Sequence, residues 1–142
     1  TGMTTANCNR ANIARAALES AVYSMRGGLD SFKALGFVAK ELRLTGGGAK
    51  SPVWRQIVAD IMNLPVKVPA SSEAAAFGGA LQALWCLKKA EGNAVSMADL
   101  ADEHVALDES KTTMPKAENV AAYDEAYKEY SKLVDQLSPL YR

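Results

Sequence analysis

The stretch "LTGGGAKSPVWRQIVAD", residues 44–60, decides the fold of this chain. A polar–apolar alternation over residues 40–45 predicts a strand, and the glycine triplet at 46–48 ends it. The Ser-Pro pair that follows favours a helix start, since Ser is a good N-cap and Pro suits the first helical position. The apolar spacing predicts that this helix continues to about Asn63. Consecutive glycines lose much backbone entropy on folding, so their place in the turn requires a compensating gain.

The glycine triplet matches neither common phosphate-binding loop. The dinucleotide fingerprint requires a third, spaced glycine, and the P-loop requires a longer interval before its Lys-Ser pair. Two interpretations remain. Gly46, Gly47 and Gly48 could form a flat backbone wall for an adenine ring and its ribose, with Ser51 hydrogen-bonding the base edge. Alternatively, the triplet is only a tight turn that joins strand to helix.

The segments around this motif predict an α/β architecture. "LPVKVP", residues 64–69, reads as a second strand, and a helical crossover usually makes two such strands parallel. Before the motif, apolar spacing predicts a helix over residues 9–35, which Gly27-Gly28 kinks or divides and Gly36 ends. Because only two strands are indicated, the sheet looks incomplete, and we expect sequence upstream of this chain.

A second glycine pair lies inside the next predicted helix, residues 70–92, which Ser71 or Ser72 would cap and Gly92 would end. Gly78-Gly79 stands among alanines, and glycine within a helix costs roughly 1 kcal/mol relative to alanine. Something must therefore pack very close to this face. The partner is either the rest of the same domain or a second, moving domain. A final helix with a tyrosine stripe is expected over residues 117–142.

The composition excludes several classes of protein. The 142 residues carry 16 basic and 16 acidic side chains, without the basic patch that nucleic acids or anionic membranes select. No apolar run is long enough for a membrane span. Cys8 and Cys86 are expected to be buried, reduced thiols of a cytoplasmic protein, and metal binding by the lone His104 is not expected.

Together, these features resemble the FGGY family of carbohydrate kinases, which have an actin-like, ribonuclease H-like ATPase fold. "LTGGGAKSPVWRQIVADIMNLPVKVP" is similar to the adenosine motif of that family and the elements after it. "EAAAFGGALQA" is similar to its helix at the interdomain contact, and the first helix is similar to the one that opens its C-terminal half. The tyrosine-rich tail and "LSPLY" are most similar to those of xylulokinases.

The resemblance implies that residues 1–142 are the C-terminal ATP-binding domain of a two-domain sugar kinase, without the first strands of that half of the fold. Gly46, Gly47 and Gly48 would lie against ATP, and Ser51 would contact the adenine edge, where some members carry Asn. Mg²⁺ would be held through the nucleotide phosphates. The sugar, a pentulose such as D-xylulose, would bind mainly to the missing domain, and a homodimer is compatible with this arrangement.

No catalytic residue is expected in this chain, because the resemblance places the catalytic aspartate upstream of Thr1. The aspartates present have structural explanations: Asp30 in a loop, Asp60 on a helix face beside Gln56, and Asp99 at a helix start. The fragment alone is expected to be inactive. Alternatives are another FGGY kinase acting on gluconate, ribulose or glycerol, a non-catalytic actin-like nucleotide-binding module, and a helical interaction domain without a ligand.

Overall fold

A computed structural model of the chain describes residues 2–71 and 73–141. Within them the helices and strands are α1 Arg10–Ala34, β1 Leu42–Arg43, α2 Pro52–Met62, β2 Val66–Lys67, α3 Ala74–Ala90, α4 Met97–His104 and α5 Ala117–Leu137. Short 3-10 turns lie at Gly47–Lys50, Glu109–Lys111 and Ser138–Tyr141. The predicted order of elements is confirmed.

The two strands are parallel, as the helical crossover between them predicts. Leu42 pairs with Val66, and the Leu44 amide donates to the Lys67 carbonyl at 2.8 Å. Each strand is shorter than its predicted segment. The loop after α4, for which no strand was expected, adds antiparallel bridges that join Val66 to Thr113 and Pro69 to Leu107.

Helix α2 lies at the centre of the hydrophobic core, between α1 and α5. Ile57 and Ile61 are almost completely buried there, and Val22 from α1 packs against them. The apolar residues whose spacing predicts α2 are not all buried, because Val53 is 55% exposed at the start of the helix. Further along, neighbouring elements cover α2 on nearly every side, so that polar residues are buried as well.

Helix α1 is a single 25-residue helix, so the predicted division at Gly27-Gly28 is wrong, and the alternative of a kink there stays a prediction. Packing against α2 and α5 outweighs the low helix propensity of glycine at these positions. Asp30 consequently lies within α1 and not in a loop. The helix ends as predicted at Gly36, whose φ of +87° allows its amide to donate to the Lys33 carbonyl at 2.9 Å.

Helix α3 begins after Glu73, which makes no side-chain cap hydrogen bond. Ser71 is therefore not the cap, because the chain enters the helix two residues later, and the alternative Ser72 lies outside the described residues. Gly92, with a φ of +84°, ends the helix as predicted. The expectation of buried thiols is wrong: Cys8 precedes α1, Cys86 faces outward from α3, and both are exposed.

Helices α1 and α5 are joined by aromatic and charged side chains. Tyr23 lies in a cluster with the three tyrosines of α5, with ring centroids 5.3 to 6.3 Å from its own. Burial raises the pKa of Tyr23 to about 12. Arg15 and Glu19, one turn apart on α1, form an ion pair at 2.6 Å, and the Tyr123 hydroxyl donates to Glu19 at 2.7 Å. These contacts fix the helix that carries the tyrosine stripe.

Candidate functional site

The glycine triplet lies at the carboxyl end of β1, where the chain turns into α2. Gly46 adopts φ 81° and ψ −167°, and the 3-10 turn Gly47–Lys50 follows it. The first hydrogen bond that closes the turn runs from the Ala49 amide to the Gly46 carbonyl, at 3.1 Å. The amides of Gly47 and Gly48 precede this bond, so the hydrogen-bond ladder of the turn does not use them.

The three glycines of the triplet have different surroundings. Gly46 needs its positive φ, which side chains with a Cβ rarely adopt. At Gly48, an added Cβ would lie 2.8 Å from the Trp54 indole. At Gly47, an added Cβ would meet no atom within 4 Å. The conformation and packing within the described chain therefore account for two of the glycines and leave Gly47 with an open face.

Ser51 caps α2, as its sequence position predicts. Its Oγ accepts a hydrogen bond from the Trp54 amide at 3.2 Å. The hydroxyl proton of a capping serine is still able to donate to a second group. Contact of Ser51 with an adenine edge is compatible with this geometry and stays a prediction, as do the ligand contacts of Gly46, Gly47 and Gly48.

A small cavity of about 60 Å³ opens beside the turn, at the carboxyl ends of the two parallel strands. Its lining includes Lys50 and Lys111, neither of which was predicted as a site residue. Lys111 pairs with Asp108 at 2.7 Å. Hydrogen bonds from Lys111 and Ser110 hold the pKa of Asp108 below its ordinary value. Lys50 and Lys111 therefore add basic residues to this end of the sheet, and Asp108 offsets the charge of Lys111.

A larger apolar cavity of about 280 Å³ lies beside the small one. The two share residues 69–71, which connect β2 to α3. Phe77, Gly78, Leu81 and His104 contribute to its walls. Basic residues beside the glycine turn and apolar walls at α3 and α4 therefore lie next to the same segment, residues 69–71.

Gly78 and Gly79 face open space on α3. An added Cβ at either position would meet no atom within 4 Å, and both residues are exposed. Tight packing within this domain, one of the two interpretations of this glycine pair, is therefore wrong for the described residues. The second interpretation, contact with another domain, stays a prediction.

Two buried polar residues of α2 were not predicted as important. The carboxylate of Asp60 is fully buried and accepts hydrogen bonds from the Gln56 amide, the Lys116 backbone amide and the Asn119 amide, at 2.7 to 2.8 Å. Its predicted place beside Gln56 is confirmed, and its structural role extends to the start of α5. Arg55 is 8% exposed, and its Nη1 donates to the Ala49 carbonyl at 2.7 Å.

Asp99 has the structural role expected of it. Its carboxylate accepts a hydrogen bond from the Ser96 backbone amide, and its own backbone amide donates to Ser96 Oγ, which together form a capping box at the start of α4. Within residues 2–71 and 73–141, no group of three or more His, Cys, Asp or Glu side chains is arranged to hold a metal ion. No helix in the same residues is long and apolar enough to cross a membrane.

Comparison with known proteins decides the family. The C-terminal domain of the FGGY family of carbohydrate kinases matches residues 1–87, which include the glycine turn, α2 and the Gly78-Gly79 pair. The chain belongs to the FGGY family of carbohydrate kinases. This confirms the resemblance inferred from the glycine triplet and the α3 sequence.

Individual FGGY relatives extend the match along the chain. Xylulose kinase from Haemophilus influenzae is 40% identical over 136 residues, which are 96% of this chain and 27% of the relative. Ribulokinase from Geobacillus thermodenitrificans is 34% identical over 122 residues, 85% of this chain and 22% of the relative. The chain therefore spans about a quarter of the length of these relatives.

A solved FGGY structure has the same fold. Xylulose kinase from Rhodospirillum rubrum superimposes with a TM-score of 0.80 at 26% sequence identity, over 99% of this chain and 27% of that one. The predicted α/β class and the actin-like ATPase fold are confirmed. The described part contributes only two short strands because it corresponds to about a quarter of the larger structure.

Proposed function

We propose that this chain, residues 1–142, is the C-terminal ATP-binding domain of an ATP-dependent carbohydrate kinase. The observation that carries the proposal is the glycine turn, in which Gly47 has an open face and Gly46 lines a cavity together with Lys50 and Lys111. An open backbone allows a planar ligand to approach closely, and the basic residues Lys50 and Lys111 favour its phosphates, with Asp108 offsetting part of the Lys111 charge.

The proposed roles of the turn residues follow from their geometry. Gly46 and Gly48 shape the turn, Gly47 provides the wall for the adenosine, and the Ser51 hydroxyl donates to the adenine edge while its oxygen caps α2. ATP supplies the phosphoryl group, and Mg²⁺ reaches the site on its phosphates. Reaction at such a site depends mainly on positioning and on charge stabilisation.

The proposed substrate is a pentulose, D-xylulose, which would be converted to D-xylulose 5-phosphate. The 40% identity with a xylulose kinase supports it. Ribulose is the second candidate, since a ribulokinase is 34% identical over 85% of the chain. The sugar and the catalytic base would be held by the upstream domain of a cytoplasmic enzyme, and the exposed Gly78-Gly79 face of α3 would contact that domain.

Steady-state kinetics of the intact kinase containing this chain test the proposal. ATP turnover is measured with D-xylulose, ribulose, gluconate and glycerol, and with the 142-residue chain alone as the control. We expect the highest kcat/KM with D-xylulose and no transfer by the chain alone. Preference for another sugar would contradict the substrate, whereas the absence of any sugar-dependent ATP turnover would contradict the kinase.

A further inference from the structure

Arg55 is a buried cation with an incomplete set of hydrogen bonds. Only 8% of the residue is exposed, and its Nε is buried without a hydrogen-bond partner among the described residues. Burying a charged donor without a partner lowers stability. Asp60, on the same helix, shows the opposite case, since its buried carboxylate accepts three hydrogen bonds. Stability of the fold therefore explains Asp60 and does not explain Arg55.

The hydrogen bond that Arg55 does make is to the glycine turn. Its Nη1 donates to the carbonyl of Ala49 at 2.7 Å, and hydrogen bonds from a charged donor are among the stronger ones in proteins. Ala49 is 4% exposed, and its own amide donates to the Gly46 carbonyl at 3.1 Å. Both polar groups of the Ala49 backbone are therefore held, one by the start of the turn and one by α2.

Trp54 and Arg55, which are consecutive in α2, contact consecutive residues of the turn. The Trp54 indole lies against Gly48, and the Arg55 guanidinium holds Ala49. Gly47, whose face is open, comes directly before Gly48 and Ala49, the two residues that these side chains hold. Its backbone position is set by the two side chains of α2 and by the positive φ of Gly46.

We propose that Arg55 is a positioning residue for the nucleotide. Its guanidinium holds the Ala49 carbonyl so that the Gly47 wall is already formed before ATP arrives. This inference rests on the proposed function. A preformed wall raises affinity because binding does not have to order the turn. Arg55 is buried and would act on ATP through the turn, so its effect is expected on nucleotide affinity and not on the transfer step.

The test compares Arg55→Met, Arg55→Lys and a control in the intact kinase. Met has a similar length but no donor, whereas Lys keeps one charged donor for the Ala49 carbonyl. Val58→Ala is the matched control, because Val58 is 2% exposed on the same helix and belongs to the core cluster. The KM values for ATP and sugar, kcat and the melting temperature are measured for each.

We expect Arg55→Met to raise the KM for ATP about tenfold, the loss typical of one charge-assisted hydrogen bond. Its kcat, sugar KM and melting temperature should change little, since a buried unpaired donor is removed at the same time. Arg55→Lys should recover most of the affinity and stay about twofold to threefold above the wild-type KM for ATP. Val58→Ala should lower the melting temperature and leave the KM for ATP unchanged.

An unchanged KM for ATP in Arg55→Met would overturn the positioning role, as would an equal increase in Val58→Ala. If Arg55→Met does not fold, Arg55→Gln, which removes the charged donor, decides, and a wild-type KM for ATP in that variant would overturn the role. Failure of the proposed function gives a different result, namely a wild-type enzyme without saturable, sugar-dependent use of ATP.

Discussion

Helices α2 and α3 are both apolar and follow one another in the chain, but their surroundings differ. Of the 11 residues of α2, Arg55 and residues 57–62 are buried. Of the 17 residues of α3, only Leu81 is buried within the described chain. Helix α2 is covered by α1, α5 and β2, whereas α3 packs mainly against α4.

This difference distinguishes the residues that hold the fold together from those that face outward. Side chains of α2 fill the core and tie the glycine turn and α5 to it. On α3, the small residues Ala75, Ala76, Gly78, Gly79 and Ala80 are all exposed. An apolar helix with an open small-residue face fits the proposed contact with a second domain, and substitutions in the two helices should have opposite effects.

The largest effect is expected at the buried carboxylate of α2. Asp60→Ala should lower the free energy of unfolding by about 3 kcal/mol or more, because three buried donors lose their acceptor. Urea unfolding of the chain measures this change. Asp102→Ala, at an exposed position of α4, is the control and should be nearly neutral. A loss below about 1 kcal/mol for Asp60→Ala would contradict the central role of α2.

A smaller effect separates two neighbouring glycines. Gly48→Ala should cost about 1–3 kcal/mol, since its Cβ would lie 2.8 Å from the Trp54 indole. Gly47→Ala should stay within about 0.5 kcal/mol of the wild type, because its Cβ meets no atom within 4 Å. Equal losses in the two variants would show that the triplet acts only as a tight turn.

Substitutions in α3 should stabilise the chain. Gly78→Ala and Gly79→Ala each remove a flexible residue from an open helix face and should add roughly 0.5–1 kcal/mol to the free energy of unfolding.

In the intact kinase, Gly78→Leu or Gly79→Leu should instead reduce turnover by obstructing domain closure. Normal kinetics and stability in both leucine variants would contradict the interdomain contact.

The smallest effect concerns acid stability of the helices that surround α2. Burial raises the pKa of Asp30, but hydrogen bonds from Lys33 and Tyr127 outweigh it and hold that pKa below its ordinary value. The carboxylate therefore contributes stability at pH values above its unfolded-state pKa of about 4. This contribution is lost as the pH falls through the lowered pKa of the folded state. Urea midpoints at neutral and acidic pH should fall less for Asp30→Asn than for the wild type. An identical decrease would contradict the contribution of Asp30.

The fold was predictable from the sequence where helix-capping residues and the order of strand and helix segments indicate the same structure. Ser51, Gly36 and Gly92 mark helix ends through their own backbone chemistry, and the structure has those ends. The strand–helix–strand order fixed the parallel pairing. Gly27-Gly28 suggested a division of α1 that does not occur, because packing of α1 against two helices outweighs the low helix propensity of glycine. No local sequence pattern reveals this packing.

The site was predictable as a segment but not in its detail. That Gly47 is open and Gly48 is not depends on where the Trp54 indole lies, which spacing does not reveal. Arg55 and Asp60 look like solvated residues in an amphipathic pattern, and their burial arises from α5 and the turn closing over them. Lys111 approaches the turn only because its loop pairs with β2.

The most direct test of the account is the nucleotide affinity of Gly47→Val in the intact kinase. Gly47 is the suitable position because its open face lets a side chain occupy the proposed adenosine wall without disturbing Trp54. Titration with ATP and with sugar should show ATP binding weakened about tenfold or more and sugar binding unchanged. Wild-type affinity for ATP in this variant would contradict the assignment of the glycine turn to the nucleotide.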